Sequence, residues 1–118
     1  MDADGQLELL RGPENARLRE QITEVMALEG IRADPEDVII TTGSQQAVDI
    51  VTELFVDPGD VVLTEAPTYV GSLSIFATYQ ADVQQVPIDA GGVVPEALEE
   101  TIVRLEREGR RIKFFYCL

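Results

Sequence analysis

Histidine is absent from the 118 residues, and cysteine and lysine occur once each, as Cys117 and Lys113. With no imidazole and one thiolate there is no ligand set for a structural zinc, and no metal site is expected. A lone cysteine cannot close an internal disulfide, which fits a reducing compartment, so the expected location is cytoplasmic. Basic residues are scarce as well: nine Lys and Arg stand against 22 Asp and Glu, a formal net charge of -13. Such a chain carries no broad basic surface, so neither nucleic acid nor an anionic membrane is expected as a partner. No apolar run is long enough to cross a bilayer, and no basic-then-apolar leader is read at the N-terminus.

What is present suits a small globular domain. Hydrophobic residues make up 45% of the chain, enough for a real core and well above the composition of disordered segments. The negative charge repels itself, so the fold should gain from salt screening. An acidic, lysine-poor surface is what a protein of a high-salt cytoplasm would show, and a halophilic source is one expectation.

Along the chain, Met1 to Gly12 is polar and then leucine-rich, and reads as a lead segment (1–12) before the domain proper (13–118). Pro13 is placed at a helix start. Leu18, Ile22, Val25 and Met26 recur at helical spacing with Gly30 as the stop, which turns Arg17, Arg19 and Glu20 toward solvent. Asp34-Pro35-Glu36-Asp37 is a turn leading to a strand at 38–41. A second helix spans Ser44 to about Val56, apolar round most of its surface with Asp49, Thr52 and Glu53 as its polar side, and is expected between layers. After the turn Asp57-Pro58-Gly59-Asp60 come a strand at 61–64, a loop at Glu65-Ala66-Pro67-Thr68-Tyr69, and a helix through Val70, Leu73, Phe76 and Ala77. A strand at 83–88, a turn at 89–92, an amphipathic helix from Pro95 to Glu108 and a strand at 112–117 complete the chain. Strands alternating with helices predict an α/β fold with a mostly parallel sheet and flanking helices.

The stretch that organises this pattern is Val38-Ile39-Ile40-Thr41-Thr42-Gly43-Ser44-Gln45-Gln46-Ala47. It reads as a β-branched strand, a turn at Gly43 and a helix capped by Ser44. A helix start presents unpaired N–H groups and the positive end of the helix dipole, which suits an anion such as phosphate; the same residues equally serve as a plain helix cap. In open α/β sheets ligands lie beyond the carboxyl ends of the strands, and both Gly43-Ser44-Gln45 and Pro67-Thr68-Tyr69 follow a predicted strand. A phosphate cradle and an aromatic ring suit a planar phosphorylated ligand.

Thr41-Thr42-Gly43-Ser44-Gln45-Gln46-Ala47, Asp57-Pro58-Gly59-Asp60 and Glu65-Ala66-Pro67-Thr68-Tyr69-Val70-Gly71, in this order, resemble the pyridoxal-phosphate-dependent aminotransferases of class I/II. The likeness is to the 2-aminoadipate and multi-substrate subgroup, whose module also forms the effector half of MocR-type transcription regulators. Leu18-Arg19-Glu20-Gln21-Ile22 and the turn at Asp89 with Gly91 to Leu98 extend it from about Gly12 to Leu118. The resemblance implies part of the large domain of a pyridoxal-phosphate enzyme. In it Gly43 shapes the turn, Ser44 and Gln45 hold the phosphate of pyridoxal 5'-phosphate, and Tyr69 stacks on its ring.

It also implies what these residues do not carry. The chemistry needs a Schiff-base lysine and a carboxylate on the pyridinium nitrogen, both of which the family places later. Lys113 matches no family lysine, so no catalytic residue is assigned, and the chain alone is expected to be an inactive N-terminal fragment. The parent would use an amino acid and a 2-oxo acid as substrates and form a homodimer. Arg11 stands where relatives often carry a tyrosine that reaches a phosphate. Two alternatives stay open: the effector domain of a MocR-type regulator, and a stand-alone module for another phosphorylated ligand. The expected sheet is not in chain order, so Val38 to Thr41 should be poorly supported without later strands.

Overall fold

The computed structural model describes Gly5 and residues 12–118. The expectation for Arg11 and most of the lead segment lies outside the described residues. The chain gathers into two compact units, one ending at Ala47 and the other running Val48–Leu118.

In the first unit, Pro13 opens a 3-10 turn (Pro13–Asn15) that runs into helix α1 (Ala16–Leu28). Gly30, at φ +80°, stops α1, and Ile31 N–H closes onto the Met26 carbonyl at 3.0 Å. The helix turns differently from the sequence reading. Arg19, expected in solvent, is 4% exposed. Its guanidinium donates to the carbonyls of Pro35 (3.0 Å) and Gly12 (3.3 Å) and to Glu36 Oε1 (3.1 Å). Acceptors 16 and 7 residues away replace the water that a buried guanidinium loses. Leu18, Ile22, Val25 and Met26 instead line, with Gln21, an open hollow of about 280 Å³, and Val25 is 63% exposed.

A second 3-10 turn follows at Pro35–Asp37, locked by Asp34, whose Oδ1 accepts the Glu36 N–H at 2.9 Å. The strand expected at 38–41 does not form. Val38 is extended (φ -99°, ψ 129°), but residues 38–41 belong to no sheet among the described residues. A β-branched run favours extended backbone, and a strand needs a neighbour as well.

Helix α2 (Gly43–Phe55) crosses into the second unit. Its polar side was misread. Thr52 is fully buried, with its hydroxyl donating back to the Val48 carbonyl at 2.6 Å, whereas Val51, Leu54 and Phe55 are exposed. The helix is therefore half-covered rather than enclosed between layers.

The second unit is a four-stranded sheet in the order β3-β2-β1-β4. Strand β1 (Val61–Ala66) pairs in parallel with β2 (Asp82–Asp89) on one side and β4 (Ile112–Tyr116) on the other. Asp89 and Gly92 close a hairpin to β3 (Gly92–Val93), antiparallel to β2, where the sequence suggests only a turn. Helix α3 (Val70–Thr78) follows β1, and α4 (Pro95–Arg107) precedes β4. Pro95 and Glu96 open α4, and Arg104 and Arg107 close it, as the helix dipole favours.

Both faces of the sheet are covered. On one, Val56, Val62 and Phe76 are buried among Val48, Leu73, Val83, Phe114 and Tyr116. The Phe76 ring meets Phe114 and Tyr116 edge-on at 5.9 and 5.7 Å. On the other, Val61, Leu63 and Leu105 pack with Leu98, Ile102, Ile112 and Phe115. The alternation survives in β4 because the register slips: Val61 faces Ile112, yet Val62 faces Phe114, leaving Lys113 as the bulged extra residue. The α/β class and the mostly parallel sheet agree with the sequence reading.

Candidate functional site

Helix α2 starts with a backbone only glycine tolerates well. Gly43 has φ +79°, although a Cβ there would meet nothing within 4 Å, so the requirement is conformational rather than steric. The Gln46 side chain accepts the Thr42 N–H four residues back, tying the first turn of the helix to the residue before it. Ser44, expected as the cap, sits inside the first turn instead, and Gly43, Ser44 and Gln45 are all exposed. No acidic residue lies in that turn to neutralise the positive end of the dipole. An anion arriving there meets peptide N–H groups, a hydroxyl and an amide, and the first turn itself holds no carboxylate.

In the second unit, β1, β2 and β4 run in parallel, so their carboxyl ends share one rim. At the end of β1 the Ala66–Pro67 peptide is cis, and the chain passes through Thr68 to Tyr69 at the start of α3. Tyr69 is extended (φ -74°, ψ 123°) and 48% exposed, which leaves ring surface for stacking. Glu65 Oε2 accepts the Leu118 N–H at 3.0 Å, tying the end of β1 to the chain leaving β4. The Thr68 hydroxyl is buried with no protein partner among the described residues. At the far end of α3, Tyr79 donates its hydroxyl to Asp49 Oδ1 at 3.1 Å. Burial, then the Asp49 bond and charge, push the Tyr79 pKa up to about 12.

The opposite, amino edge of the sheet holds Lys113. Its Nζ lies 3.2 Å from Asp60 Oδ2, and Arg111 Nη2 lies 2.8 Å from Asp60 Oδ1. Asp60 is a buried carboxylate that also accepts the Asp57 N–H at 3.0 Å. That bond, with Lys113 and Arg111, outweighs burial and holds the Asp60 carboxyl below the usual carboxylate range. The sequence reading saw Asp57 to Asp60 only as a turn. A second acid between two cations shows itself in sequence only once Arg111 and Lys113 are known to be its neighbours.

Gly43, Ser44 and Gln45 thus stand at one helix start in the amino-terminal unit, and Tyr69 stands at the rim in the carboxyl-terminal unit. No helix among the described residues is long and apolar enough to cross a membrane.

Comparison with known proteins places these observations. Residues 2–117 match the family model of aminotransferase class I and II. The aromatic-amino-acid aminotransferase 1 of Thermococcus litoralis is 40% identical over 82 residues, which are 70% of this chain and 20% of that protein. The solved structure of LysN, an alpha-aminoadipate aminotransferase of Thermus thermophilus complexed with N-(5'-phosphopyridoxyl)-L-leucine, is 38% identical with a TM-score of 0.73. It covers 95% of this chain and 27% of that one. The HTH-type transcriptional regulator YdcR of Escherichia coli is also similar, 33% identical over 74% of this chain and 19% of its own length. The chain spans about a fifth of the length of the curated relatives it matches.

Proposed function

The chain belongs to the aminotransferase class I and II family, and from that premise we propose that its whole protein transfers an amino group between an amino acid and a 2-oxo acid. The cofactor is pyridoxal 5'-phosphate, whose ring system, when bound, takes up the electrons of the substrate's broken Cα–H bond. On this reading residues 13–118 form part of the large, cofactor-binding domain of a cytoplasmic homodimer.

The residues present fit the cofactor. The observation that carries the reading is the start of α2: a Gly43 turn and an exposed Ser44 and Gln45, with no carboxylate in the first turn. Ser44 and Gln45, with the N–H groups beside them, hold the phosphate, and Tyr69 lays its ring against the pyridine face. These 118 residues supply grip and orientation and none of the proton transfer. Their one lysine is engaged with Asp60 at the amino edge of the sheet, away from the rim that carries Tyr69.

Binding of pyridoxine 5'-phosphate, which lacks the aldehyde and so cannot attach to Lys113, tests this by fluorescence or calorimetry. Ser44→Ala removes one bond to a charged phosphate and should weaken binding about tenfold. Tyr69→Ala should weaken it about three- to tenfold. Preference for a nucleotide, or indifference to both substitutions, would overturn the reading. Similarity to YdcR favours a second reading, in which the whole protein is a cofactor-sensing regulator. Binding of duplex DNA by the full-length protein, without amino-group transfer, would select it.

A further inference from the structure

Arg19 is the most enclosed charged side chain of α1, and the phosphate grip proposed above does not use it. The guanidinium reaches the Pro35 carbonyl at 3.0 Å, the Gly12 carbonyl at 3.3 Å and Glu36 Oε1 at 3.1 Å. Two of these three acceptors belong to the 3-10 turn Pro35–Asp37. That turn is a stiff handle: Asp34 Oδ1 accepts the Glu36 N–H (2.9 Å), the Asp34 carbonyl accepts the Asp37 N–H (2.9 Å), and the Pro35 carbonyl also accepts the Val38 N–H (3.3 Å). From there residues 38–42 run, with no sheet partner among the described residues, straight into Gly43-Ser44-Gln45. Two contacts among the described residues hold the entry to the helix start: the clamp at 35–37 upstream and the Thr42–Gln46 bond downstream.

We infer that Arg19 is a positioning residue for the phosphate grip: by holding the turn at 35–37 to α1 it sets where Gly43, Ser44 and Gln45 present their donors. This rests on the proposed cofactor reading for its ligand and on the contacts of Arg19 for its geometry. The planar fork is what the site needs, because it spans acceptors on two segments at once; a lysine carries the charge but not the fork. The Glu36 pair contributes little, since the Glu36 side chain is 77% exposed while that of Arg19 is 5% exposed. The Pro35 carbonyl bond carries the clamp on the turn, while the Gly12 carbonyl holds the other arm of the fork in place.

The test uses the full 118-residue chain, with Arg19→Lys as the conservative variant, Arg19→Met as the isostere without donors, and Glu36→Gln as the control. In hydrogen exchange, Arg19→Lys should speed exchange of amides 36–46 at least severalfold and leave those of β1 unchanged. In binding, Arg19→Lys should lower affinity for pyridoxine 5'-phosphate about tenfold while affinity for pyridoxine, which has no phosphate, stays the same. Glu36→Gln should change neither by more than about twofold. A general loss of folding would weaken both ligands alike and speed exchange in β1, and that result would overturn the inference. So would unchanged exchange at 36–46. If Ser44→Ala lowers the phosphate preference and Arg19→Lys does not, the positioning role fails alone. If Ser44→Ala also leaves that preference unchanged, the cofactor reading fails, and exchange at 36–46 still decides the clamp.

Discussion

Phe76→Leu probes the packing that holds α3 to the sheet, and with it the base on which Tyr69 stands. Phe76 is fully buried, and its ring meets Phe114 at 61° and Tyr116 at 73°, both edge-on. Leucine keeps most of the apolar volume and removes both ring pairs. Each edge-on pair contributes about 0.5–1.5 kcal/mol beyond its area, so a loss of about 1.5–2 kcal/mol follows, against about 3–5 kcal/mol for Phe76→Ala. With a urea slope of about 1–2 kcal/mol per molar, the midpoint should fall by about 1 M. The clean assay is a cycle with Tyr116→Leu, followed by circular dichroism in urea. The two substitutions should couple by about 1 kcal/mol, because each deletes one half of the same contact. Additivity within about 0.3 kcal/mol would refute the claim that the rings interact beyond filling space.

Other outcomes follow from the charged groups. The depressed Asp60 pKa means that its contribution is complete above the ordinary carboxylate range and is lost as pH falls through the lowered value. Asp60→Asn should therefore lower stability at neutral pH and flatten the acid limb of a pH–urea map. Tyr79, with its pKa pushed up to about 12, works in the opposite direction. Its contribution is full below pH 10 and declines from about pH 10 to 12, where the unfolded chain ionises first. Tyr79→Phe should remove that alkaline slope. The net charge of -13 predicts a midpoint that rises between low and molar potassium chloride, and no gain would remove the halophilic expectation.

Elements whose signals are local were legible. The strand read at 61–64, which the structure extends through Glu65 to Ala66 where a loop was expected, the helix after Tyr69 and the amphipathic helix from Pro95 each announce themselves by period, turn chemistry or a proline at the start. The glycine turn at 43 was legible for the same reason. What stayed hidden depends on partners distant in sequence. Arg19 looks like a solvent-facing helix residue until the carbonyls of Pro35 and Gly12 are brought to it. Thr52 looks polar until its hydroxyl bonds back to Val48. Val38 to Thr41 has strand chemistry and no strand beside it among the described residues, and Lys113 becomes a bulge only because of its register with β1. The proposed site divides in the same way. Its helix start and its aromatic ring can be read as motifs, whereas the clamp that fixes the helix start is tertiary.

The central claim is that Gly43-Ser44-Gln45 grips the cofactor phosphate while Tyr69 covers its ring. The most direct measurement is a backbone amide NMR titration of the labelled 118-residue chain with pyridoxine 5'-phosphate. The account predicts that the largest shift changes fall on amides 43–46 and 68–70, and that pyridoxine alone moves only the second group. Changes concentrated at the Asp60–Lys113 edge, with amides 43–46 unmoved, would contradict it.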